Sequence, residues 1–416
     1  MKKILTLLCA ATTAISVSAQ SNLPNYYNVE NSGKALPIGS SLSPDKIDLN
    51  VSKLPDPFLF RNGKYSNKFK DWERHRNEIA RMVEDYEIGP RPNFDRVEAQ
   101  FQKSDSTIKI TVFANGSSLN FESKIRIPQG TGPFPIVIGM NMPSGSINPN
   151  LLKGCILVPF KHDQIIKSSH QAVRDTAGAF YKLYPQYTNT SGNYSGWSWG
   201  ISRLIDAIYQ LQNEINADVK HIAVTGCSYA GKMAMFAGAF DERIALTIIQ
   251  ESGGGGINAW RVSDYVTEST GVNVERVENT NYSWFSPEFK TNFNTKLNKL
   301  PYDHHQILAM IAPRAVLVLG NPDFEWLCDY SGYVSSNAAR RVWQCWGIGD
   351  RFGYIFEGNH NHCMACDSEN DAVTRFVNKF LFDKKDVNTD IFDAGQFGSK
   401  IDMNNWVGDW KSFQLK

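Results

Sequence analysis

Four β-rich runs in the second half of the chain constrain its fold more than any other feature. Helical patterns separate the runs, and alternating strands and helices predict a mainly parallel sheet. Active sites of such sheets gather at the carboxyl ends of the strands. We therefore expect the residues that follow these runs to lie close together. The runs are 221–225, 244–250, 315–319 and 353–357.

The first half of the chain carries weaker signals. Residues 20–60 are rich in Pro, Ser, Asn and Gly, which is typical of loops. A stretch with helical spacing then ends before Gly89 and Pro90. The predicted elements are a helix at 72–86, paired strands at 108–113 and 120–127, and a buried strand at 134–140.

The first 19 residues have the pattern of an export signal. Lys2 and Lys3 precede an apolar run over 4–17, and small residues at 17–19 offer a cleavage site after Ala19. The apolar run is too short to span a bilayer. We expect a secreted or periplasmic protein, cleaved near Ala19, with no membrane association.

No internal repeat or low-complexity linker divides the remaining chain. We expect residues 20–416 to form one domain, with an N-terminal extension over 20–85 and a C-terminal tail over 391–416. No sequence feature indicates an oligomer, and we expect a monomer.

The net charge of the chain is close to zero, which argues against partners that bind mainly through charge, such as nucleic acids. The chain has 43 basic and 42 acidic residues, and loss of Lys2 and Lys3 would change the net charge from +1 to −1. This balance gives no reason to expect nucleic-acid binding. Of the 7 cysteines, Cys9 lies in the export signal. The other six would enter a compartment where disulfides persist, and their pairing is open.

A candidate nucleophile follows the first of the four runs, in the segment Gly226-Cys227-Ser228-Tyr229-Ala230-Gly231-Lys232. A nucleophile elbow holds its serine in strained backbone geometry between a strand and a helix, with small residues two places to either side. Ala230 stands where the usual pattern has its second glycine. The segment predicts Ser228 as the nucleophile of an α/β-hydrolase, a three-layer sandwich around a mainly parallel central sheet.

A serine hydroxyl needs an imidazole to accept its proton and a carboxylate to orient that imidazole. His362, after the last run, is the preferred base, and His360 is its competitor. Two places can supply the acid. Glu251 follows the run at 244–250, whereas Asp323 and Glu325 follow the run at 315–319, and the residues alone leave this choice open.

Several motifs occur in the order and spacing of one known family. The chain resembles the glucuronoyl esterases, carbohydrate esterase family 15, of the bacterial, secreted type. The motifs that carry the resemblance are LPDPFLFRNGK, GWSWGISRLIDAI, GCSYAGK, IIQESGGGG, PYDHHQILAMIAPR, NPDFEWL and GNHNHC.

The resemblance implies Ser228 as nucleophile, Glu251 as acid and His362 as base, with Glu325 and Asp323 as alternative acids. It also implies a disulfide between Cys227 and Cys363, the cysteines beside the nucleophile and the base. The alternative for the second cysteine is a zinc site, because histidines and thiolates at short spacing, here with Cys366, are typical zinc ligands.

The resemblance further implies residues that bind the sugar. Lys232 and Trp326 match family positions directly, and the alternative is a surface lysine and a core tryptophan. Glu275 and Asn281 match more loosely, and the alternative is two solvated loop residues.

One position departs from the family. Tyr229 stands where the family typically has an arginine that stabilises the oxyanion. Its backbone amide remains a candidate oxyanion donor, but loss of a charged donor costs roughly 2–4 kcal/mol of transition-state stabilisation.

The resemblance implies hydrolysis of the ester between xylan glucuronate and a lignin alcohol, through an acyl-enzyme and without a metal or organic cofactor. The expected partner is glucuronoxylan or a lignin–carbohydrate ester. One alternative is a related carboxylesterase with a shifted substrate, because of Tyr229. The other is a catalytically silent carbohydrate-binding protein.

Overall fold

The structure is a computed structural model that describes residues 23–33, 45, 47, 52–168 and 173–411. The predicted export signal at 1–19 lies outside the described residues. Among the helices of the described part, none has the length and apolar character needed to cross a bilayer.

The described chain alternates strands and helices through its second half, as the β-rich runs predict. The strands are β1 (Arg96–Gln102), β2 (Thr107–Ala114), β3 (Ser117–Lys124), β4 (Phe134–Met140), β5 (Ile156–Phe160), β6 (Ala217–Cys227), β7 (Ile244–Gln250), β8 (Ala315–Gly320), β9 (Phe352–Phe356) and β10 (Phe392–Asp393). The helices are α1 (Phe69–Val83), α2 (Ala179–Leu183), α3 (Asn193–Leu211), α4 (Tyr229–Phe240), α5 (Trp260–Thr270), α6 (Pro287–Phe293), α7 (His304–Ala309), α8 (Asp329–Cys345), α9 (Asp367–Phe380) and α10 (Asn404–Val407).

The central sheet has seven strands in the order β10-β9-β8-β7-β6-β4-β5, and every neighbouring pair is parallel. Its inner strands are apolar on both faces, which a parallel sheet covered by helices requires. β7 and β8, for example, are buried at every residue. The predicted α/β-hydrolase fold with a mainly parallel central sheet is confirmed.

Helices cover both faces of this sheet. On one face, Phe376 and Val377 of α9 pack against Ile248 and Leu317. On the other, α3, α4, α7 and α8 contribute to a larger core that also contains Val224 of β6. Since β6, β7, β8 and β9 lie side by side, the loops at their carboxyl ends meet at one edge.

The predicted hairpin at 108–113 and 120–127 is present as β2 and β3, but in a separate antiparallel sheet with β1. A bridge between Arg126 and Leu157 links the end of this hairpin to the central sheet. The predicted helix at 72–86 is also present. It begins earlier, as α1, and continues as a π-helical turn at Glu84–Ile88.

Candidate active site

Ser228 lies between the end of β6 and the start of α4, with φ 58° and ψ −130°. A left-handed φ is strained for a residue with a side chain, and such strain is common at functional sites. The neighbours must be small. A Cβ at Gly226 would collide with the carbonyl oxygen of Ala230, and one at Gly231 would lie 2.5 Å from Gln250 O. Local sterics therefore favour glycine at positions 226 and 231 of this elbow.

Glu251 lies directly after β7, is 1% exposed, and contacts the histidine expected to be the base. Its Oε2 lies 2.6 Å from His362 Nδ1. Its Oε1 accepts hydrogen bonds from Cys363 N at 2.8 Å and from Gln250 Nε2 at 3.3 Å. Because Nδ1 is occupied by this contact, Nε2 of His362 is the ring nitrogen left to accept a serine proton.

The alternative acids lie elsewhere on the same edge. Asp323 and Glu325 are both exposed, and in the described part of the chain His362 forms its ion pair with Glu251 and none with either of them. Asp323 Oδ2 instead accepts the backbone N–H of Asn359 at 2.6 Å. Asp323 therefore holds the loop that carries His362 rather than its imidazole.

A disulfide joins Cys227 and Cys363, the pair that the family resemblance implies, with Cα atoms 5.7 Å apart. It links the residue before Ser228 to the residue after His362. A ring nitrogen of His362 lies within 4.8 Å of both sulfur atoms. The loop that carries the imidazole is thus covalently tethered at the elbow.

The disulfide also bears on the zinc hypothesis, because a cystine sulfur is not a thiolate ligand. His360, Cys366 and Glu369 do bring ligand atoms within 4.8 Å of one another. However, Glu369 Oε2 accepts the backbone N–H of Cys366 at 3.0 Å, in the capping box that starts α9. Nε2 of His360 lies 2.9 Å from the carbonyl oxygen of Glu357. A structural role for these groups is therefore already evident.

Tyr229 turns its side chain away from the His362 side of the site. The Asn141 amide donates to its phenol oxygen at 2.7 Å, and His162 Nε2 lies 3.2 Å from the same oxygen. The ring lies 6.1 Å from that of Trp284, with the planes inclined by 13°. Burial raises the pKa of Tyr229, so the phenol is neutral at pH 7. The backbone amide of Tyr229 opens α4, where the unpaired N–H groups of a helix favour negative charge.

The residues expected to bind sugar form a connected group. Lys232 is 2% exposed, and its Nζ donates to Glu275 Oε2 at 2.8 Å and to Ser252 O at 2.6 Å. Lys232 is therefore not a surface residue, and Glu275, 3% exposed, is not a solvated one. Trp326 is 43% exposed and is not a core residue. Its carbonyl oxygen accepts the Glu275 N–H at 2.9 Å.

Asn281 lies in the loop before Trp284. Its Oδ1 accepts from Ser283 Oγ at 2.7 Å, and its carbonyl oxygen accepts from Trp284 N at 3.1 Å. Trp284 in turn lies beside Lys232, whose Nζ is 5.1 Å from the centre of the indole ring. Asn281 thus shapes the loop that presents this tryptophan.

Sequence reasoning missed four residues near the site: Asn141, His162, Trp284 and Phe324. Asn141 follows β4 as Glu251 follows β7, so the rule applied to the last four strands would have found it. Phe324 is 36% exposed, and its ring centre lies 5.1 Å from that of His362. Met364, 61% exposed, follows the disulfide. Phe324 therefore gives the site an apolar group next to His362.

Comparison with known proteins places the chain among esterases. A family model described as "Glucuronyl esterase, fungi" matches residues 110–347. The 4-O-methyl-glucuronoyl methylesterase 1 of Wolfiporia cocos is 39% identical over 378 residues, which cover 88% of this chain and 90% of that protein.

Solved structures agree with this. The glucuronoyl esterase catalytic domain of Hypocrea jecorina is 34% identical with a TM-score of 0.80, over 89% of this chain and 99% of that one. A serine-to-alanine mutant of the Sporotrichum thermophile glucuronoyl esterase, in complex with methyl 4-O-methyl-β-D-glucopyranuronate, is 32% identical with a TM-score of 0.78, over 86% and 95%. The curated relatives are fungal, so the expectation of a bacterial type is not supported.

Proposed function

The chain belongs to the glucuronoyl esterase family, and on that premise we propose that it cleaves esters between 4-O-methyl-glucuronate on xylan and alcohols of lignin, with Ser228 as nucleophile. The contact of 2.6 Å between Glu251 Oε2 and His362 Nδ1 carries the proposal. It fixes an imidazole beside the elbow, and its other ring nitrogen forms no hydrogen bond among the described residues.

The first half of the reaction forms an acyl-enzyme. Ser228 Oγ attacks the ester carbonyl carbon while its proton moves to Nε2 of His362. Glu251, which is buried and held by its hydrogen bonds, stabilises the imidazolium. The carbonyl oxygen gains the negative charge, and the backbone amide of Tyr229, at the start of α4, donates a hydrogen bond to it. The intermediate collapses, the bond to the alcohol oxygen breaks, and His362 returns the proton to that oxygen.

The second half repeats these steps with water. His362 takes a proton from a water molecule, the resulting hydroxide attacks the acyl carbon, and the bond to Ser228 Oγ breaks. The serine recovers its proton and glucuronate leaves. The same two side chains, His362 and Glu251, serve both halves.

The alcohol must lie on the His362 side of the ester, because His362 delivers its proton. Phe324, 36% exposed, is an apolar residue there, since its ring centre lies 5.1 Å from that of His362. An aromatic alcohol buries its ring against such groups, whereas methanol gains little from them. These apolar surroundings of the leaving group support an aromatic alcohol of the lignin type.

Ester hydrolysis with and without Ser228 tests the mechanism. Wild-type protein is expected to cleave the benzyl ester of 4-O-methyl-glucuronic acid, and Ser228→Ala to lose at least about 10³-fold in kcat. Ser104→Ala, an exposed serine in the turn between β1 and β2, is the matched control and keeps full activity. Equal rates for wild type and Ser228→Ala would refute the mechanism.

A second candidate function is a carboxylesterase with a shifted substrate, and the position of Tyr229 favours it. Its phenol lies against Asn141 and His162 and carries no charge. If the missing cation limits turnover, Tyr229→Arg should raise kcat/KM on the glucuronate ester by about tenfold, and Tyr229→Phe should change it little. No gain on the glucuronate ester, with faster cleavage of other carboxylic esters, would favour the shifted substrate.

Export is also part of the proposal, because xylan and lignin lie outside cells and the Cys227–Cys363 disulfide suits an oxidising compartment. N-terminal sequencing of protein recovered from the medium or periplasm is expected to begin at Gln20. Recovery of the mature protein with Lys2 and Lys3 still attached would contradict cleavage near Ala19.

A further inference from the structure

A buried ion pair lies beneath the loop that follows Glu251. His304 Nε2 lies 2.7 Å from Glu87 Oε1, and both residues are 0% exposed. Neither residue takes part in the proposed reaction at Ser228. Apolar residues of similar volume are often at least as stable as a buried ion pair. Stability alone therefore does not account for this pair.

The hydrogen bonds around the pair indicate that it is charged. Glu87 Oε1 also accepts from Trp260 Nε1 at 3.1 Å, and Glu87 Oε2 accepts from the Tyr302 hydroxyl at 2.6 Å. On the other side of the ring, His304 Nδ1 lies 2.5 Å from Gly256 O. A carboxylate and a carbonyl only accept, so both ring nitrogens carry a proton. Burial acts against this charge, but the charge and hydrogen bond of Glu87 contribute most to a pKa of His304 that is raised above its ordinary value.

The Gly256 carbonyl belongs to residues 252–257, which form a glycine-rich turn. Ser252 Oγ accepts from Ile257 N at 3.0 Å and closes this turn. Ser252 O accepts from Lys232 Nζ at 2.6 Å. A shift of the glycine-rich turn would therefore move one acceptor of the lysine that is expected to bind the sugar.

The glycine-rich turn also packs closely against Glu275, the other acceptor of Lys232. A Cβ at Gly254 would lie 2.5 Å from Glu275 O, and one at Gly253 would lie 3.0 Å from Glu275 Oε2. Lys232 Nζ donates to that same Oε2 at 2.8 Å. The positions of both acceptors thus depend on the position of the turn.

Glu87 lies on the π-helical turn Glu84–Ile88 that continues α1. Turns of this kind are rare and often occur at functional sites. The carbonyl oxygen of Glu87 accepts from Ser286 N at 2.6 Å, in the loop that carries Trp284. The indole of Trp284 lies beside Lys232. Glu87 therefore holds two loops next to this lysine, one through its side chain and His304, the other through its main chain.

We infer that His304 and Glu87 are positioning residues for sugar binding, which act through Gly256 O to fix the glycine-rich turn and thereby Lys232. The inference rests on the proposed function, because it takes Lys232 to contact the glucuronate. A fixed turn presents the ammonium group in place before the sugar arrives, which lowers the entropic cost of binding.

Two variants of His304 separate its two contacts. The glutamine amide reaches the position of Nε2, so His304→Gln keeps a donor toward Glu87 and loses the donor toward Gly256. His304→Asn does the reverse, because its amide nitrogen lies near the position of Nδ1. On the benzyl ester of 4-O-methyl-glucuronic acid, His304→Gln should raise KM about fivefold, the effect of one lost hydrogen bond, and His304→Asn should stay within about twofold of wild type. We expect kcat to change less than about twofold, because Glu251 N is held separately by Leu319 O at 2.7 Å.

His305 provides the matched control. It is also 0% exposed, but its Nε2 donates to Pro55 O at 2.8 Å and its ring stacks on Trp410. Burial lowers the pKa of His305 to about 4, so its ring is neutral at pH 7. His305→Gln should lower the free energy of unfolding in urea and leave KM unchanged. An equal rise in KM for His304→Gln and His305→Gln would reduce His304 to a structural residue and overturn the inference.

Calorimetry with Ser228→Ala separates this inference from the proposed function. The affinity of Ser228→Ala for the benzyl ester should fall about fivefold when His304→Gln is added and should not fall with His304→Asn. Wild type that does not cleave the ester would refute the proposed function alone, because these affinities are measured without turnover. Unchanged affinity with His304→Gln would overturn the positioning role whatever the catalytic result.

Gly256→Ala tests the same turn if His304→Gln does not fold. Its Cβ would lie 2.4 Å from Ser252 Oγ, so the glycine-rich turn must shift. The affinity of Ser228→Ala for the benzyl ester should then fall at least as much as expected for His304→Gln. Full affinity with Gly256→Ala would show that the turn does not set the sugar site, and the inference would be wrong.

Discussion

The loops after β7 and β8 both carry carboxylates at the same edge of the sheet, but these carboxylates differ in burial and in hydrogen-bond partners. Glu251, after β7, is 1% exposed and faces His362 Nδ1, Cys363 N and Gln250 Nε2. Asp323 and Glu325, after β8, are exposed, and the Asp323 carboxylate accepts the backbone N–H of Asn359. The strands are adjacent, and Glu251 N even donates to Leu319 O of β8 at 2.7 Å.

The difference shows what an orienting acid requires. A carboxylate that fixes an imidazole must itself be fixed and shielded from water, because exposed charges are screened and mobile. Glu251 meets that condition through its donors. Asp323 acts one step removed, by holding the loop on which His362 lies. The loop after β7 thus orients the His362 ring, and the loop after β8 positions the backbone of the loop that carries His362.

The largest expected effect comes from removing the acid after β7. Glu251→Ala leaves His362 Nδ1 without its partner, so the imidazole loses both its orientation and the stabilisation of its charged form. We expect kcat to fall by about 10³–10⁴-fold with little change in KM. Steady-state kinetics on the benzyl glucuronate ester measures this, with near-ultraviolet circular dichroism to verify the fold. Wild-type turnover by this variant would remove Glu251 from the mechanism.

The next largest effect is on stability, and it comes from Asp329, a buried carboxyl that follows the loop after β8. Asp329 begins α8, and burial, with a smaller contribution from the charge of Glu251, raises its pKa to about 7. The folded state then binds more protons than the unfolded state between about pH 4 and 7, so this group lowers stability as pH rises through that window. Asp329→Asn cannot ionise. Its stability relative to wild type should therefore increase from pH 4 to 8, by roughly 2–4 kcal/mol.

Urea unfolding of both proteins across that pH range measures the difference. Asp402→Asn, an exposed aspartate in the C-terminal region, is a suitable control and should show no such trend. A constant difference between wild type and Asp329→Asn at all pH values would contradict a raised pKa for this group.

A smaller effect is expected from Asp323. The difference between its alanine and asparagine variants distinguishes a residue that holds the loop from a residue that orients the imidazole. Asp323→Ala removes the acceptor for Asn359 N, so the loop that carries His362 loosens, and kcat should fall by about tenfold. Asp323→Asn keeps an oxygen that accepts the same N–H and should retain most of the activity. If Asp323 instead oriented the imidazole, the loss of its charge in Asp323→Asn would lower kcat nearly as much as the alanine.

Much of this arrangement was predictable from the sequence, because periodicity and strand order are local signals. The strands before Ser228, Glu251, Asp323 and His362 all appear as expected. β5 was missed, since it is short and contains Pro159, which is tolerated at its edge position. β10, with two residues, gives no periodic signal at all.

The choice of acid was not predictable from residue types alone. It depends on a hydrogen bond from Cys363 N to Glu251, residues that lie 112 positions apart, and on a left-handed φ of 42° at Glu251. Neither leaves a pattern in a single sequence. The partners of the Tyr229 phenol likewise come from the loops after β4 and β5, distant in the chain and assembled only by the sheet.

The smallest expected effect is at Glu325, and it completes the comparison between the loops. This side chain is exposed and forms no ion pair with His362 in the described part of the chain. Glu325→Ala should therefore change kcat by less than about twofold at physiological ionic strength, where exposed charges are largely screened. Glu268→Ala, an exposed glutamate of α5, serves as the matched control. A loss of more than about tenfold at Glu325 alone would mean that the loop after β8 moves its carboxylate to His362 during turnover, and the division of roles between the two loops would then hold only in the free enzyme.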